Sequence, residues 1–334
     1  MALVSAVAPS VTDRSWFETE VLSAYRPVVM RGLVSHWPVV DLGRRPRDLA
    51  KYLAEDASSQ PVELFVGPPE IHGRFFYDPT AKGLNFERRR LPLAAALDHI
   101  ASLIDVAKPP SIYAGGVPTR DLLRTFARDN RLDLIAEDVQ PRLWVGNAVT
   151  VSTHYDLSDN IACVVAGRRR FTLFPPEQLA NLYVGPLDFT LAGQPVSMVD
   201  LKAPDFERFP RFRTALEAAQ VFELEPGDAL YIPPLWWHHV ESLTPFNVLV
   251  NYWWNAAGTP QSPFDALIHA VMAVRHLPDP QKAAWRNMFD HYVFDDQADT
   301  VTHLREQSRG VLGAMTPGLA QRIRGFLMNG LKRG

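Results

Sequence analysis

Short apolar runs separated by turn residues dominate the middle of the chain. Runs of this kind cover residues 143–151, 160–165, 169–174, 229–232, 236–243 and 247–253. Runs this short, with turn residues at this spacing, predict β-strands in an all-β barrel or sandwich. The runs on either side of Ala166-Gly167 predict a hairpin, because glycine tolerates the positive φ of a tight turn.

Both ends of the chain add other elements to this strand-rich part. Residues 26–37 predict a strand and a turn, residues 61–66 alternate as a strand does, and residues 46–54 and 92–103 have helical spacing. Helices are predicted at 263–275, 281–288, 301–314 and 317–332, the last with Thr316 as its N-cap. We therefore expect a mainly β domain with an N-terminal α/β elaboration over residues 1–258, and a helical segment over residues 259–334.

Composition narrows the class of protein. Of 334 residues, 47% are hydrophobic and 21% charged, which is typical of a soluble globular protein. A net charge of −3 gives no reason to expect nucleic acid as a partner, and no apolar run approaches the roughly 20 residues that span a bilayer. The only cysteine, Cys163, lies in an apolar run, and the first eleven residues lack a basic region and contain Pro9. These features predict a cytoplasmic protein without a signal peptide.

Two histidines and an aspartate carry the candidate chemistry. Two imidazoles and one carboxylate can occupy one face of a six-coordinate iron(II) and leave the other face open. His154 and Asp156 are two residues apart, so in a strand they point the same way, and a barrel can bring a third ligand alongside. The candidates for that third ligand are the neighbouring histidines His238 and His239. The other histidines are interpreted as ordinary surface or core residues.

Several ordered motifs surround these three residues. They are Arg-Pro-Val-Val-Met-Arg-Gly-Leu at 26–33, His-Tyr-Asp at 154–156, Gly-Arg-Arg-Arg-Phe-Thr-Leu-Phe-Pro-Pro at 167–176, Pro-Asp-Phe-Glu-Arg-Phe-Pro at 204–210, and Pro-Gly-Asp-Ala-Leu-Tyr-Ile-Pro-Pro-Leu-Trp-Trp-His-His-Val-Glu-Ser at 226–242. With these motifs the chain resembles the JmjC-type, cupin-like double-stranded β-helix oxygenases over roughly residues 10–255. It is most similar to the branch containing the asparaginyl hydroxylase that inhibits hypoxia-inducible factor. The resemblance implies a jelly-roll barrel with Fe(II) and 2-oxoglutarate as cofactors. It also implies that the third metal ligand is the histidine directly after the tryptophan pair, His238, and strand alternation agrees if His238 faces the barrel interior and His239 faces outward.

The resemblance also implies a site for the distal carboxylate of 2-oxoglutarate. Relatives usually place a lysine where this chain has Arg169, and a guanidinium can hold a carboxylate through two parallel hydrogen bonds. Alternation points Arg169 inward and Arg170 outward, although a solvated turn of arginines is the alternative. Tyr113 resembles the tyrosine that completes this pocket. Asn160 and Asn251 match asparagines beside the iron and co-substrate, or else bond within their strands.

Two departures from the family pattern concern the co-substrate pocket. Val151 stands where many relatives have a threonine, and the segment between Trp144 and His154 is one residue shorter than usual. Thr150, Ser152 and Thr153 are the candidates to replace that threonine.

Two aromatic groups also lie in the region of resemblance. Trp253 corresponds to a family residue near the iron and is a candidate substrate-binding residue, with rim packing as the alternative. Phe75-Phe76-Tyr77 is expected to be core rather than the border of a substrate groove.

The predicted function is that of an Fe(II)- and 2-oxoglutarate-dependent oxygenase. It would hydroxylate a protein side chain or a small molecule and release succinate and carbon dioxide, with no catalytic residue beyond the metal site. One alternative is a cupin metalloenzyme that does not use 2-oxoglutarate, which the changes at Val151 and Arg169 favour. Another is a non-catalytic binding module, against which the intact ligand set argues. The C-terminal helices resemble in position those through which the asparaginyl hydroxylase dimerises, so a homodimer is expected.

Overall fold

The computed structural model describes residues 6–7, 13–258, 262–295 and 300–332. It divides into two compact units, Met1–Ala256 and Ala257–Gly334. The predicted absence of a signal peptide concerns a segment of which all but residues 6–7 lies outside the described residues.

The described strands all lie in the first unit. They are β1 (Ala6–Val7), β2 (Val28–Met30), β3 (Pro61–Gly67), β4 (Glu87–Pro92), β5 (Ser111–Pro118), β6 (Pro141–Gly146), β7 (Thr150–His154), β8 (Asp159–Ala166), β9 (Arg169–Phe174), β10 (Gln220–Leu224), β11 (Ala229–Ile232), β12 (Trp237–Ser242) and β13 (Asn247–Trp254).

Two mainly antiparallel sheets face each other and enclose the barrel interior. The larger has the order β1-β2-β11-β8-β13-β6-β5-β3-β4, and the smaller has the order β10-β9-β12-β7. Between them pack apolar side chains from both sheets, among them Ala162, Leu230 and Leu249 from the larger and Phe171 and Val240 from the smaller. The predicted double-stranded β-helix is confirmed.

Helices cover the outer face of the larger sheet. Those of the first unit are α1 (Arg14–Trp16), α2 (Pro38–Leu42), α3 (Pro46–Asp56), α4 (Leu93–Ser102), α5 (Thr119–Leu122) and α6 (Phe126–Asp129). Helix α7 (Phe212–Glu217) instead packs against Phe174 and Trp237 of the smaller sheet. Leu49 of α3 and Leu97 of α4 join Ile161, Cys163 and Val250 of the sheet in one buried cluster. Cys163 is therefore a buried core residue, as expected, and burial raises the pKa of its thiol.

Two predictions about the strands are wrong. The run 143–151 is not one strand: β6 ends at Gly146 and β7 begins at Thr150 in the other sheet. The chain turns at Asn147, whose side chain accepts a hydrogen bond from Ile112 N (3.0 Å) and donates one to Pro110 O (2.8 Å). The runs 160–165 and 169–174 form no hairpin, because β8 and β9 belong to different sheets and Gly167 (φ +74°) makes the crossing.

The second unit contains helices α8 (Pro263–Val274), α9 (Asp279–Phe289) and α10 (Pro317–Leu331). Thr316 caps α10 by accepting a hydrogen bond from Leu319 N at 3.2 Å, as predicted. The helix predicted at 301–314 is wrong. The structure has short 3₁₀ turns at Glu306–Ser308 and Gly310–Leu312, and Gly310 (φ +55°) is incompatible with a continuous α-helix. Among the described residues, no helix has the length and apolar content needed to cross a bilayer.

Candidate metal centre and adjoining cavity

His154, Asp156 and His238 converge at one end of the barrel. One ligand atom from each lies within 4.8 Å of the other two. His238 Nε2 is 3.6 Å from Asp156 Oδ2, and the two imidazole rings have centroids 4.2 Å apart. The histidines come together because β12 pairs with β7 so that His238 lies opposite His154. Two nitrogens and one oxygen at this spacing are suited to a divalent transition metal.

Both imidazoles are oriented by backbone carbonyls. His154 Nδ1 lies 2.9 Å from Ser152 O, and His238 Nδ1 lies 3.0 Å from Trp236 O. A carbonyl only accepts, so each Nδ1 carries the proton and each Nε2 keeps its lone pair for a metal. Burial, together with the neighbouring His238, lowers the pKa of His154 to about 4. His154 is therefore neutral at pH 7, the form that binds metals.

Asp156 is positioned differently from what strand alternation suggests. Strand β7 ends at His154, so Asp156 lies in the following loop. Leu235 N donates to Asp156 O at 2.8 Å, and Asn160 Nδ2 donates to Asp156 Oδ2 at 3.2 Å. Hydrogen bonds from two other segments, rather than the pleat of one strand, bring the carboxylate beside the histidines.

His239 lies apart from the metal centre. It is buried, and its Nδ1 is 3.3 Å from Thr153 Oγ1. Burial, and then the charges of Lys202 and Arg74, lower the pKa of His239 to about 3. The structure thus brings His238, not His239, to the other two ligands, in keeping with the alternation argument.

Arg169 is a buried guanidinium without an acidic partner. Its side chain is 1% exposed, and among the described residues no carboxylate forms an ion pair with it. It hydrogen-bonds to Tyr113, and its Nε and Nη2 have no partner. Burial raises the pKa of Tyr113, against the opposing effect of Arg169. A desolvated cation with free N–H groups is a site for a ligand anion.

The flanking arginines face away from Arg169. Arg170 pairs with Glu223 at 2.6 Å, and Arg168 lies 3.9 Å from the same carboxylate. The predicted inward direction of Arg169 and outward direction of Arg170 therefore agree with the structure.

The two predicted asparagines have partners of different kinds. Asn251 Oδ1 accepts from Trp144 Nε1 at 2.7 Å, so Asn251 orients an aromatic wall. Asn160 donates to Asp156, while its Oδ1 is buried without a partner. Asn160 therefore lies beside the metal ligands with one polar atom free.

Ser152 is the best replacement for the missing threonine among the three candidates. Thr150 Oγ1 contacts Lys202 Nζ at 3.1 Å, and Thr153 Oγ1 contacts His239. Ser152 Oγ is buried without a partner, and Ser152 lines the same cavity as His154. Its hydroxyl is thus available to a ligand there.

A cavity of about 680 Å³ opens beside the metal centre. It is lined by His154, Asp156, Tyr113 and Trp253. Val151, at the position where many relatives have a threonine, also lines it. Phe75 and Tyr77 are buried, as expected for core residues, whereas Phe76 is half-buried. Phe75 also lines the cavity. The volume is within the range of small-molecule sites.

Sequence reasoning missed several residues that line this cavity. Among them are Glu63 on β3, Arg88 on β4, Arg142 on β6, and the segment 190–194. A signal existed for Arg142, because strand alternation places it on the same face as Trp144. The segment 190–194 lies in a long connection between β9 and β10 without strands of its own, and its position has no sequence signal.

Comparison with known proteins places the chain among cupin-like proteins. The sequence profile of the Cupin-like domain family matches residues 14–259. The chain is 27% identical over 269 residues to lysine-specific demethylase JMJ31 of Arabidopsis thaliana, covering 72% of this chain and 48% of that protein. It is 28% identical over 258 residues to Jumonji C domain-containing protein 5 of Drosophila melanogaster, covering 74% and 58%. It is 28% identical over 269 residues to tRNA wybutosine-synthesizing protein 5 of Danio rerio, covering 72% of each. The match thus spans about half the length of the first two relatives.

Proposed function

This chain belongs to the JmjC type of the cupin-like family, and from that premise we propose that it is an Fe(II)- and 2-oxoglutarate-dependent hydroxylase. The observation that carries the proposal is the buried guanidinium of Arg169, which has free N–H groups and no acidic partner among the described residues. A metalloenzyme that did not bind an anionic co-substrate would have no need for this desolvated charge, which hydrogen-bonds to Tyr113 in the lining of the same cavity as His154 and Asp156.

His154, Asp156 and His238 would hold the iron. Their donor set suits Fe(II) and leaves positions open for other ligands. Arg169 and Tyr113 would hold the distal carboxylate of 2-oxoglutarate. When bound, iron and 2-oxoglutarate would supply the oxidising chemistry with dioxygen as the oxidant: one oxygen atom goes to the substrate as hydroxyl and the other to succinate, and carbon dioxide is released.

The chain's own residues orient ligands and exclude water. The carbonyls of Ser152 and Trp236 fix the tautomers of the two histidines. Trp144 and Trp253 pack edge to face, with ring centroids 5.5 Å apart, and form an apolar wall of the cavity. Such a wall limits the access of water to the reacting atoms.

Succinate release from 2-oxoglutarate by the Fe(II)-loaded protein, without added substrate, tests the proposal. We expect slow uncoupled release that Arg169→Met abolishes and Arg169→Lys restores in part, because lysine keeps the charge but not the two parallel hydrogen bonds. Arg170→Met, on the outer face, is the matched control.

The rival functions give different results in the same assay. A metalloenzyme that catalyses a reaction without 2-oxoglutarate would bind the metal but would neither bind nor consume 2-oxoglutarate. A binding module would bind both without turnover. Either result would overturn the proposal.

The substrate is proposed to be a protein side chain or a small molecule. The relatives include a lysine-specific demethylase and a tRNA wybutosine-synthesizing protein, so family membership does not choose among substrates. The net charge of −3 is the reason for not proposing nucleic acid. The similarity to the asparaginyl hydroxylase branch and the cytoplasmic location stay predictions.

We also propose a homodimer formed through the C-terminal helices. Helix α10 presents Phe326, Leu327 and Leu331 to solvent, with exposed fractions of 74%, 41% and 56%. Apolar stripes of this kind are usually covered by a partner. Light scattering is expected to give twice the chain mass of 37.5 kDa, and the mass of a single chain at micromolar concentration would contradict the proposal.

A further inference from the structure

Arg142, one of the cationic side chains that line the cavity beside the metal centre, has no carboxylate partner among the described residues. The charged lining residues of this cavity, apart from Asp156, are Glu63, Arg88 and Arg142. Arg88 Nη1 lies 3.6 Å from Glu63 Oε1, so these two charges offset each other. Arg142 forms no ion pair with any carboxylate among the described residues.

Arg142 is nevertheless held in place. Its Nη1 donates to Gly116 O at 3.1 Å, and its guanidinium carbon lies 5.6 Å from the centroid of the Trp253 ring. These contacts occupy one N–H group and one face of the guanidinium, which has five N–H groups in all. The remaining donors are free for a ligand in the cavity.

A second free donor lies next to Arg142. The indole Nε1 of Trp253 is buried without a partner, and Trp253 lines the same cavity. An indole N–H can only donate, so a ligand that satisfies it presents an acceptor atom. The unpaired cation and the unpaired donor therefore both favour an acceptor-rich anion.

We propose that Arg142, together with Trp253 Nε1, binds an anionic group of the substrate, a carboxylate or a phosphate monoester. This proposal rests on the proposed function, since it assigns the substrate class of the same site. Phe65, Phe75 and Trp144 form apolar walls of the cavity, so the anionic group is carried by an apolar or aromatic body. Arg142 is a specificity residue of this site, distinct from the buried Arg169.

Binding to the protein loaded with Mn(II) and N-oxalylglycine, an unreactive analogue of 2-oxoglutarate, tests the proposal. The probes are N-acetylphenylalanine against its primary amide, and benzyl phosphate against benzyl alcohol. Quenching of tryptophan fluorescence and calorimetry both report binding. We expect at least one anion to bind about tenfold or more tightly than its neutral partner, because a charge-assisted hydrogen bond has about that effect. The pair that shows the preference tells a carboxylate site from a phosphate site.

Variants locate the effect. Arg142→Gln is expected to bring the dissociation constant of the anion to within about twofold of that of its neutral partner. Arg142→Lys should give an intermediate preference, since the ammonium lacks the planar arrangement of N–H groups of a guanidinium. Arg120→Gln removes an exposed arginine that does not line the cavity, so it should leave the preference unchanged. Uncoupled succinate release should also stay at the wild-type level in Arg120→Gln.

Two results would overturn the proposal: neither anion binds more tightly than its neutral partner, or Arg142→Gln keeps the full preference. Failure of N-oxalylglycine to bind the Mn(II)-loaded protein would instead overturn the proposed function and this inference with it. Calorimetry with N-oxalylglycine alone separates the two cases.

Discussion

The barrel unit and the C-terminal helical unit differ in where their apolar side chains go. Of the exposed large apolar side chains among the described residues, six lie in the first unit and fifteen in the much shorter second unit. The barrel encloses its apolar faces between two sheets and beneath helices. The helices of the second unit bury few large side chains, among them Leu319 and Val301. The barrel can therefore fold around its own interior, whereas the helical unit has apolar surface left for a partner.

The largest expected effect concerns the polar residues that the barrel keeps in its interior. Asp156→Ala removes one of three metal ligands, so we expect succinate release and Mn(II) affinity to fall by more than the 10- to 100-fold typical of outer-shell changes. Asn160→Ala removes a hydrogen bond to Asp156 and should lower succinate release and Mn(II) affinity by about 10- to 100-fold. Asp279→Ala, an exposed carboxylate of the second unit, is the control and should change neither quantity.

The next effect concerns the helical unit. Phe326→Glu places a charge on the exposed apolar face of α10, twice in a symmetric dimer, and is expected to raise the dimer dissociation constant by about 100-fold or more. Gln321→Glu adds the same charge on another side of the helix and should leave the dimer intact. Sedimentation over a concentration series measures both, and equal behaviour of the two variants would contradict a dimer through this face.

A smaller effect follows from the buried imidazole of His239. Its pKa of about 3 lies below the ordinary 6.5, so below pH 6.5 the unfolded chain binds a proton that the folded chain does not. The free energy of unfolding should therefore fall as pH falls, with His239 contributing about 2 kcal/mol between pH 6.5 and pH 5. Denaturant titrations in EDTA should show a shallower pH dependence for His239→Gln. His276→Gln, at an exposed histidine of the helical unit, is the matched control.

The smallest effect concerns the start of α10. Thr316→Ala removes the hydroxyl that accepts from Leu319 N and should destabilise the helix by about 1 kcal/mol. Hydrogen exchange of the first turn of α10 measures the change. Protection of the amides in β8 should not change, and a loss there would show that the two units unfold together.

Part of the candidate site was predictable because it follows from strand alternation. The inward direction of Arg169 needed only the period of two in a strand, whereas the choice of His238 over His239 came from the resemblance to the family, with which strand alternation agrees. The placement of Asp156 was not predictable in this way, because it depends on hydrogen bonds from Leu235 and Asn160. The choice of Ser152 among three neighbours likewise depended on partners elsewhere in the fold.

The sequence by itself determined the strand-rich barrel, the three candidate ligands and the helical character of the last quarter of the chain. These depend on local periodicity and on the chemistry of residue types, which neighbouring residues already encode. Only the tertiary structure decided that residues 160–165 and 169–174 lie in opposite sheets, and that Arg142 and Trp253 share a cavity with the metal centre. Pairing between distant strands decides such positions, and it depends on the packing of the whole barrel rather than on any one segment.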